Sequence, residues 1–245
     1  ALAGNKLVSR RILESDGIDV PRYVPISKEE FKHDQTKTIE KIIAAFPYPF
    51  IVKPYAEGCS TAITKVKRKS DVPKALQQAF AWDDVALVEE YVEGMEVTVS
   101  VLGNEDLRAL PVTETPPSGM QEFLTLEDKF LPGGAKMITP ARLPVDVLKQ
   151  VENVAVSVCQ SLNLIGYSRV DMFVTDVSPP YEGGEQEGVS KKPRIVVLEA
   201  NTIPGITPST MIFHQAAAIG LSPTQYIDTI IELGFAAHKN KKGPL

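Results

Sequence analysis

Two short triplets carry the strongest chemical signal in this chain, Arg169-Val170-Asp171 and Glu199-Ala200-Asn201. Each follows or opens an apolar, β-branched run, so residues two apart share one face of a strand. If the two strands pair, the oxygens of Asp171, Glu199 and Asn201 converge beside the Arg169 guanidinium. A hard divalent cation such as Mg²⁺ prefers that donor set and keeps positions for water and phosphate. Carboxylates closing two buried strands are costly without a cation. The alternative is an Arg169–Asp171 ion pair with Asn201 in a turn. Repulsion between the carboxylates predicts that Asp171→Asn stabilises the metal-free protein.

Four other places could bind an anion or a nucleotide. Lys53 ends a short apolar strand, and Glu57-Gly58-Cys59-Ser60-Thr61 follows it. A fixed ammonium with a small-residue loop of N–H donors suits phosphate oxygens; a solvated lysine before a turn is the plainer reading. Glu89-Glu90-Tyr91-Val92 closes another strand before Gly94 and Glu96, where free backbone and a carboxylate could meet a base or ribose, or simply water. The run 201–210 leads into a helix, whose free N–H groups favour an anion unless Ser209 or Thr210 caps them. Lys129 sits in a long loop that could close over phosphates. His33, His214 and His238 are scattered and drive nothing.

Walker, GxGxxG, HExxH and GxSxG patterns are absent. The 245 residues carry 26 Lys+Arg against 31 Asp+Glu, a net charge of −5, which argues against broad nucleic-acid affinity. Cys59 and Cys159 form no metal spacing and read as reduced thiols. No apolar run is long enough to span a membrane. The opening Ala1-Leu2-Ala3-Gly4-Asn5, without Met or a charged leader, reads as a piece of something longer.

These residues need a scaffold. Apolar spacing and punctuation predict helices over 6–15, 39–46, 70–82, 143–162, 211–219 and 223–233. Ser70 is the expected cap of the third. Strands are predicted over 50–53, 62–67, 85–92, 95–102, 107–114, 168–175 and 194–199, the last central and buried. The stretches 116–139 and 176–193 read as loop and solvated insertion, and the basic tail 238–245 as frayed. Strands meeting both strands and helices favour α+β over regular βαβ winding.

Taken in order, several segments resemble the D-alanine–D-alanine ligase family of ATP-grasp enzymes. They are Asn5-Lys6-Leu7, 50–60, 87–96, Glu127-Asp128-Lys129, Pro140-Ala141, 166–171 and 198–207. The most specific is the Glu-Ala-Asn-Thr-Ile-Pro-Gly run from Glu199 to Gly205. The resemblance implies an α+β fold of two lobes clasping ATP, here over 1–88 and 89–245. It implies that Lys6, Lys53 and Lys129 touch phosphates, that Glu89, Tyr91 and Val92 form the adenine edge, and that Glu96 accepts from ribose. Asp171, Glu199 and Asn201 match Mg²⁺ (or Mn²⁺) ligands, and Arg169, Ser60 and Lys129 match catalytic positions. Gly205, Thr210 and Cys59 fall where substrate binds.

The implied reaction is ATP-dependent joining of two D-amino acids through an acyl phosphate, a step of peptidoglycan and cell-wall synthesis. Its implied setting is the cytoplasm, or a plastid in a plant, with a homodimer as one assembly. Cys59 stands where the family usually has Ser, and Leu126 or Phe130 where Tyr is common. Ser60-Thr61-Ala62 replaces the usual Ser-Val-Gly. The family's N-terminal substrate domain is expected to be supplied from outside these residues. The other readings are a regulatory ATP-binding module without catalysis and a small-molecule kinase.

Overall fold

Pro47 and Pro49 part the helix α3 (Gln35–Ala45) from the strand β2 (Phe50–Pro54), because proline pushes the residue before it out of helix. The computed structural model describes residues 3–55, 62–116, 137–176, 193–207 and 210–239. They divide into two compact units: residues 5–7 with 20–93, and residues 1–4, 8–19 and 94–245.

The first unit holds an antiparallel sheet in the order β1 (Tyr23–Ser27), β4 (Val85–Glu90), β2, β3 (Thr64–Val66). Period-two alternation sends Ile26, Phe50, Val52, Ala86 and Val88 into one buried cluster. Phe31 of α2 (Lys28–His33), Ile42 of α3, and Ala75, Leu76 and Ala79 of α4 (Val72–Phe80) complete it. Ile51, Lys53, Leu87 and Glu89 take the opposite face. Both β1 and α2 escaped the sequence reading. Their pieces are too short for a visible period, and local caps define them instead: Ser27 accepts from the Glu30 N–H at 3.0 Å. Ser70 does not cap α4 as expected. A 3₁₀ turn, Lys69–Asp71, leads into the helix, and the Ser70 hydroxyl bonds Asp71.

In the second unit the order is β6 (Arg108–Ala109), β5 (Met95–Gly103), β8 (Gly166–Val174), β9 (Ile195–Asn201), with β7 (Thr113–Glu114) also on β5. The single strand expected over 107–114 is thus two short ones with a gap. Helix α5 (Val145–Ser161) covers one face through Val147, Val151, Ala155 and Val158. The Cys159 thiol on that face meets the Ser168 hydroxyl at 3.1 Å. Helices α6 (Met211–Ala218) and α7 (Pro223–His238) pack Ile212, Ala216 and Tyr226 against Leu102 and Leu110. Strand β9 is terminal in the described sheet rather than central. Its outer edge is shielded because the Val197 N–H donates to the Asp19 carbonyl at 2.8 Å.

The pairing of β8 with β9 slips between Asp171 and Met172, so Leu198 is an extra residue. A bulge of this kind re-aims side chains. Val197 lies opposite Met172 in the apolar layer, while Glu199 lies opposite Asp171 on the other face. Without the bulge Glu199 would share the face of Val197.

No described helix is long and apolar enough to cross a membrane.

Candidate functional site

The face of the second sheet away from α5 carries a row of polar side chains. Thr98 stands opposite Asp171, and Asp171 opposite Glu199; one rung on, Ser100 stands opposite Arg169, and Arg169 opposite Asn201. The Thr98 hydroxyl donates to Asp171 Oδ1 at 2.8 Å. Arg169 grips the same carboxylate through Nε at 3.0 Å and Nη2 at 2.8 Å. The Asn201 amide donates to Asp171 Oδ2 at 3.4 Å and to Glu199 Oε1 at 3.3 Å. Asp171, Glu199, Asn201 and Arg169 therefore come together on one face. Glu96, two residues before Thr98 on β5, shares it.

The row suits a hard cation by chemistry. Two carboxylates and one carboxamide converge, and a single guanidinium leaves one negative charge over. Among the described residues no group of three His, Cys, Asp or Glu side chains forms, so the set needs the Asn201 oxygen. Its amide nitrogen bridges the carboxylates; rotating the terminal amide, which exchanges Nδ2 and Oδ1, presents the oxygen instead. The Arg169–Asp171 pair also corrects the stability expectation. Asp171 is held by Arg169, Thr98 and Asn201 together, so neutralising it removes more attraction than repulsion.

In the first unit, Lys53 and Glu89 are neighbours on one sheet face. Lys53 Nζ lies 2.9 Å from Glu89 Oε1, with side-chain exposures of 14% and 4%. Two groups assigned separately to phosphate and adenine thus form one buried ion pair. Lys65, opposite Ile51 on that face, sits over the Tyr91 ring at 3.8 Å. The strand ends at Glu90, so Tyr91 and Val92 lie outside the ladder. Arg22 pairs with Glu90, not Glu89, at 2.8 Å. Lys6 is the first residue of α1 (Lys6–Ser15) and is half-buried.

The run after β9 brings Gly205 beside Thr210: a Cβ added at Gly205 would meet Thr210 Cγ2 at 3.8 Å. Thr210 occupies the cap position of α6, but its hydroxyl donates to the Thr207 carbonyl at 2.7 Å and caps nothing. Cys59, Ser60 and Lys129 lie outside the described residues.

Known proteins share this arrangement of elements. A family model described as the D-ala D-ala ligase C-terminus matches residues 12–183. The chain belongs to the D-alanine–D-alanine ligase family. Within it, the D-alanine–D-alanine ligase of Prosthecochloris aestuarii is 33% identical over 233 residues, covering 95% of this chain and 60% of that protein. The one from Desulfotalea psychrophila is 32% identical, covering 99% of this chain and 70% of that protein. The crystal structure of the VanG D-Ala:D-Ser ligase from Enterococcus faecalis matches with a TM-score of 0.74 at 31% identity, over 95% of this chain and 62% of that one. The Coxiella burnetii D-alanine–D-alanine ligase matches with a TM-score of 0.74 at 25% identity, over 98% and 58%. The chain spans about 60% of the length of the first of these curated relatives. The fold is that of the ATP-grasp ligases, α+β with antiparallel sheets.

Two residues that touch the candidate site residues were missed in the sequence. Thr98 could have been found from its phase with Glu96 on one strand. Lys65 could not, because only the pairing of β3 with β2 brings it to the Lys53 face.

Proposed function

We propose that this chain is the nucleotide-binding and bond-forming part of an ATP-dependent D-alanine–D-alanine ligase. The observation that carries the reading is the convergence of Asp171, Glu199 and Asn201 beside Arg169, in a chain of this family. Lys53 and Lys6, with Lys129, bind ATP phosphates. Glu89, Tyr91 and Val92 border the base, and Glu96 takes the ribose. Asp171, Glu199 and Asn201 hold Mg²⁺ or Mn²⁺. That ion supplies charge neutralisation for the triphosphate.

Two steps follow. The carboxylate of a first D-alanine attacks the γ-phosphorus, the bond to the bridging oxygen breaks, and ADP leaves. The unprotonated amine of a second D-amino acid then attacks the acyl phosphate carbon, inorganic phosphate departs with the bonding pair, and the proton lost by the nitrogen passes to the departing phosphate. Arg169 neutralises charge on the transferring group and on the tetrahedral oxyanion, where a fixed guanidinium costs no reorganisation. Cys59 serves the first amino acid, Ser60 acts with Arg169 and Lys129 in catalysis, and Gly205 and Thr210 take the carboxylate of the second. Peptidoglycan dipeptide synthesis is the role, and a compartment supplied with ATP, the cytoplasm, is the setting.

The test is ADP release with ATP, Mg²⁺ and D-alanine against a blank without amino acid, with the dipeptide read by mass. Amino-acid-dependent ADP release together with dipeptide is expected. Tight ATP binding without such turnover, even with the family's N-terminal domain added, overturns the reading in favour of a non-catalytic module, and a phosphorylated product without a peptide bond overturns it in favour of a kinase.

A further inference from the structure

Gln215 is fully buried on α6, and its carboxamide inserts into the β5 ladder. Its Oε1 accepts from the Ser100 N–H at 3.1 Å, and its Nε2 donates to the Thr98 carbonyl at 2.9 Å. The reason lies in the broken partner strand. On that edge of β5, β7 pairs with Val97 and Thr98, and β6 with Val101 and Leu102. Between them the Leu110 N–H still reaches the Ser100 carbonyl at 2.8 Å, but the Ser100 N–H has no strand acceptor, and the Thr98 carbonyl, already in the β7 pairing, has room for a second donor. The side chain of Gln215 offers one acceptor and one donor at the spacing of a peptide unit, and so patches the gap.

The patch has a second effect. Thr98, whose carbonyl Gln215 holds, is the residue whose hydroxyl donates to Asp171 at 2.8 Å. Asn201, where β9 leads into the run carrying Gly205, donates to the same carboxylate at 3.4 Å. Thr210 at the far end of that run opens α6, which Gln215 ties down. The segment from Asn201 to α6 is therefore anchored to Asp171 at both ends: directly through Asn201, and through Gln215 and Thr98.

We propose that Gln215 is a positioning residue that holds α6, and with it Gly205 and Thr210, in register with the Asp171–Glu199–Asn201 row. The identity of the ligand at Gly205 and Thr210 rests on the ligase reading; the mechanical coupling does not. Gln215 touches no reacting group. It sets the distance between the place where an acceptor carboxylate binds and the row that handles phosphate, a separation on which attack geometry depends.

Gln215→Leu and Gln215→Met keep the volume and remove the amide. Two readouts are taken on each variant and on wild type. The first is hydrogen exchange without substrate. Exchange at the Ser100 amide and along α6 should speed up about tenfold, the size set by one buried donor losing its partner, while α5 and β2 stay unchanged. The second is steady-state ADP release. KM for the acceptor D-alanine should rise about tenfold, while KM for ATP and Mn²⁺ affinity hold. Wild-type exchange and wild-type acceptor KM in both variants would overturn the inference. So would a uniform fall in all parameters that tracks only the fraction folded. If wild type itself shows no amino-acid-dependent turnover, the ligase reading falls alone, and the exchange result still decides whether Gln215 couples α6 to β5.

Discussion

Asp171 and Glu199 face each other across the β8–β9 ladder, and one Asn201 carboxamide donates to both. The two carboxylates are not equivalent. Asp171 also takes Arg169 and Thr98, whereas among the described residues Glu199 is held by the Asn201 amide alone, at 3.3 Å. Asp171→Asn should therefore lower metal-free stability by about 1–3 kcal/mol, since Arg169 loses a charged acceptor in a half-buried place. Glu199→Gln should leave stability level or raise it by up to about 1 kcal/mol, by relieving like charge. Urea midpoints without metal check both, and ADP release should vanish in each. Destabilisation of Glu199→Gln as large as that of Asp171→Asn would contradict the asymmetry.

The Lys53–Glu89 pair should be costly to break from one side. Glu89→Gln takes a charged acceptor from an ammonium that is 14% exposed. A loss of about 1–3 kcal/mol is expected, the size of a hydrogen bond to a charged group in a poorly solvated place. The double change Lys53→Met with Glu89→Leu should recover most of that stability while nucleotide affinity stays lost. Urea denaturation and fluorescent-nucleotide binding on the three variants separate packing from ligand binding.

Gly94 and Gly205 should respond differently to alanine. A Cβ at Gly94 would stand 2.5 Å from the Val174 carbonyl oxygen, a backbone atom that cannot move alone. Gly94→Ala should cost about 1–3 kcal/mol. At Gly205 the added methyl meets only Thr210 Cγ2 at 3.8 Å, an ordinary contact. Gly205→Ala should keep the wild-type melting temperature and raise KM for the acceptor amino acid. Calorimetry and steady-state kinetics on the pair test this contrast.

Cys159 should resist alkylation in the native protein. Burial between α5 and the second sheet pushes its thiol up from 9.0 to about 11, and the Ser168 hydroxyl only partly offsets this. The nucleophile is the thiolate, so iodoacetamide at pH 8 should leave the Cys159 peptide unmodified until denaturant is added. The same shift predicts a pH effect on stability. The unfolded thiol ionises near 9 while the folded one keeps its proton, so stability is intact below pH 9 and declines toward pH 11. The stability difference between wild type and Cys159→Ala should fall across that window by about 1.4 kcal/mol per pH unit.

Local pattern was enough for the elements that carry long apolar stripes or clean punctuation. Helix α1 runs over Lys6–Ser15 as its apolar spacing predicts, and α5 follows the Val147, Val151, Val158 stripe. Punctuation by Pro47, Pro49 and Gly94 bounded β2 and β5 for the same reason: these residues restrict backbone dihedrals wherever they stand. Short pieces were not legible. Tyr23–Ser27 is a strand because Val88 and its neighbours pair with it, and nothing within five residues announces that.

By itself the sequence determined which residue types were available for chemistry and, through motif order, the family. The two-residue spacing of Arg169 with Asp171 dictates a common face on any strand, whatever packs around it. Only the tertiary structure decided which side chains hold which. The Leu198 bulge turns Glu199 out of the apolar layer toward Asp171, the β3–β2 pairing carries Lys65 to Tyr91, and the gap between β6 and β7 gives Gln215 its place. These contacts join residues tens of positions apart. Their energies depend on register and burial, which no local window of the chain contains.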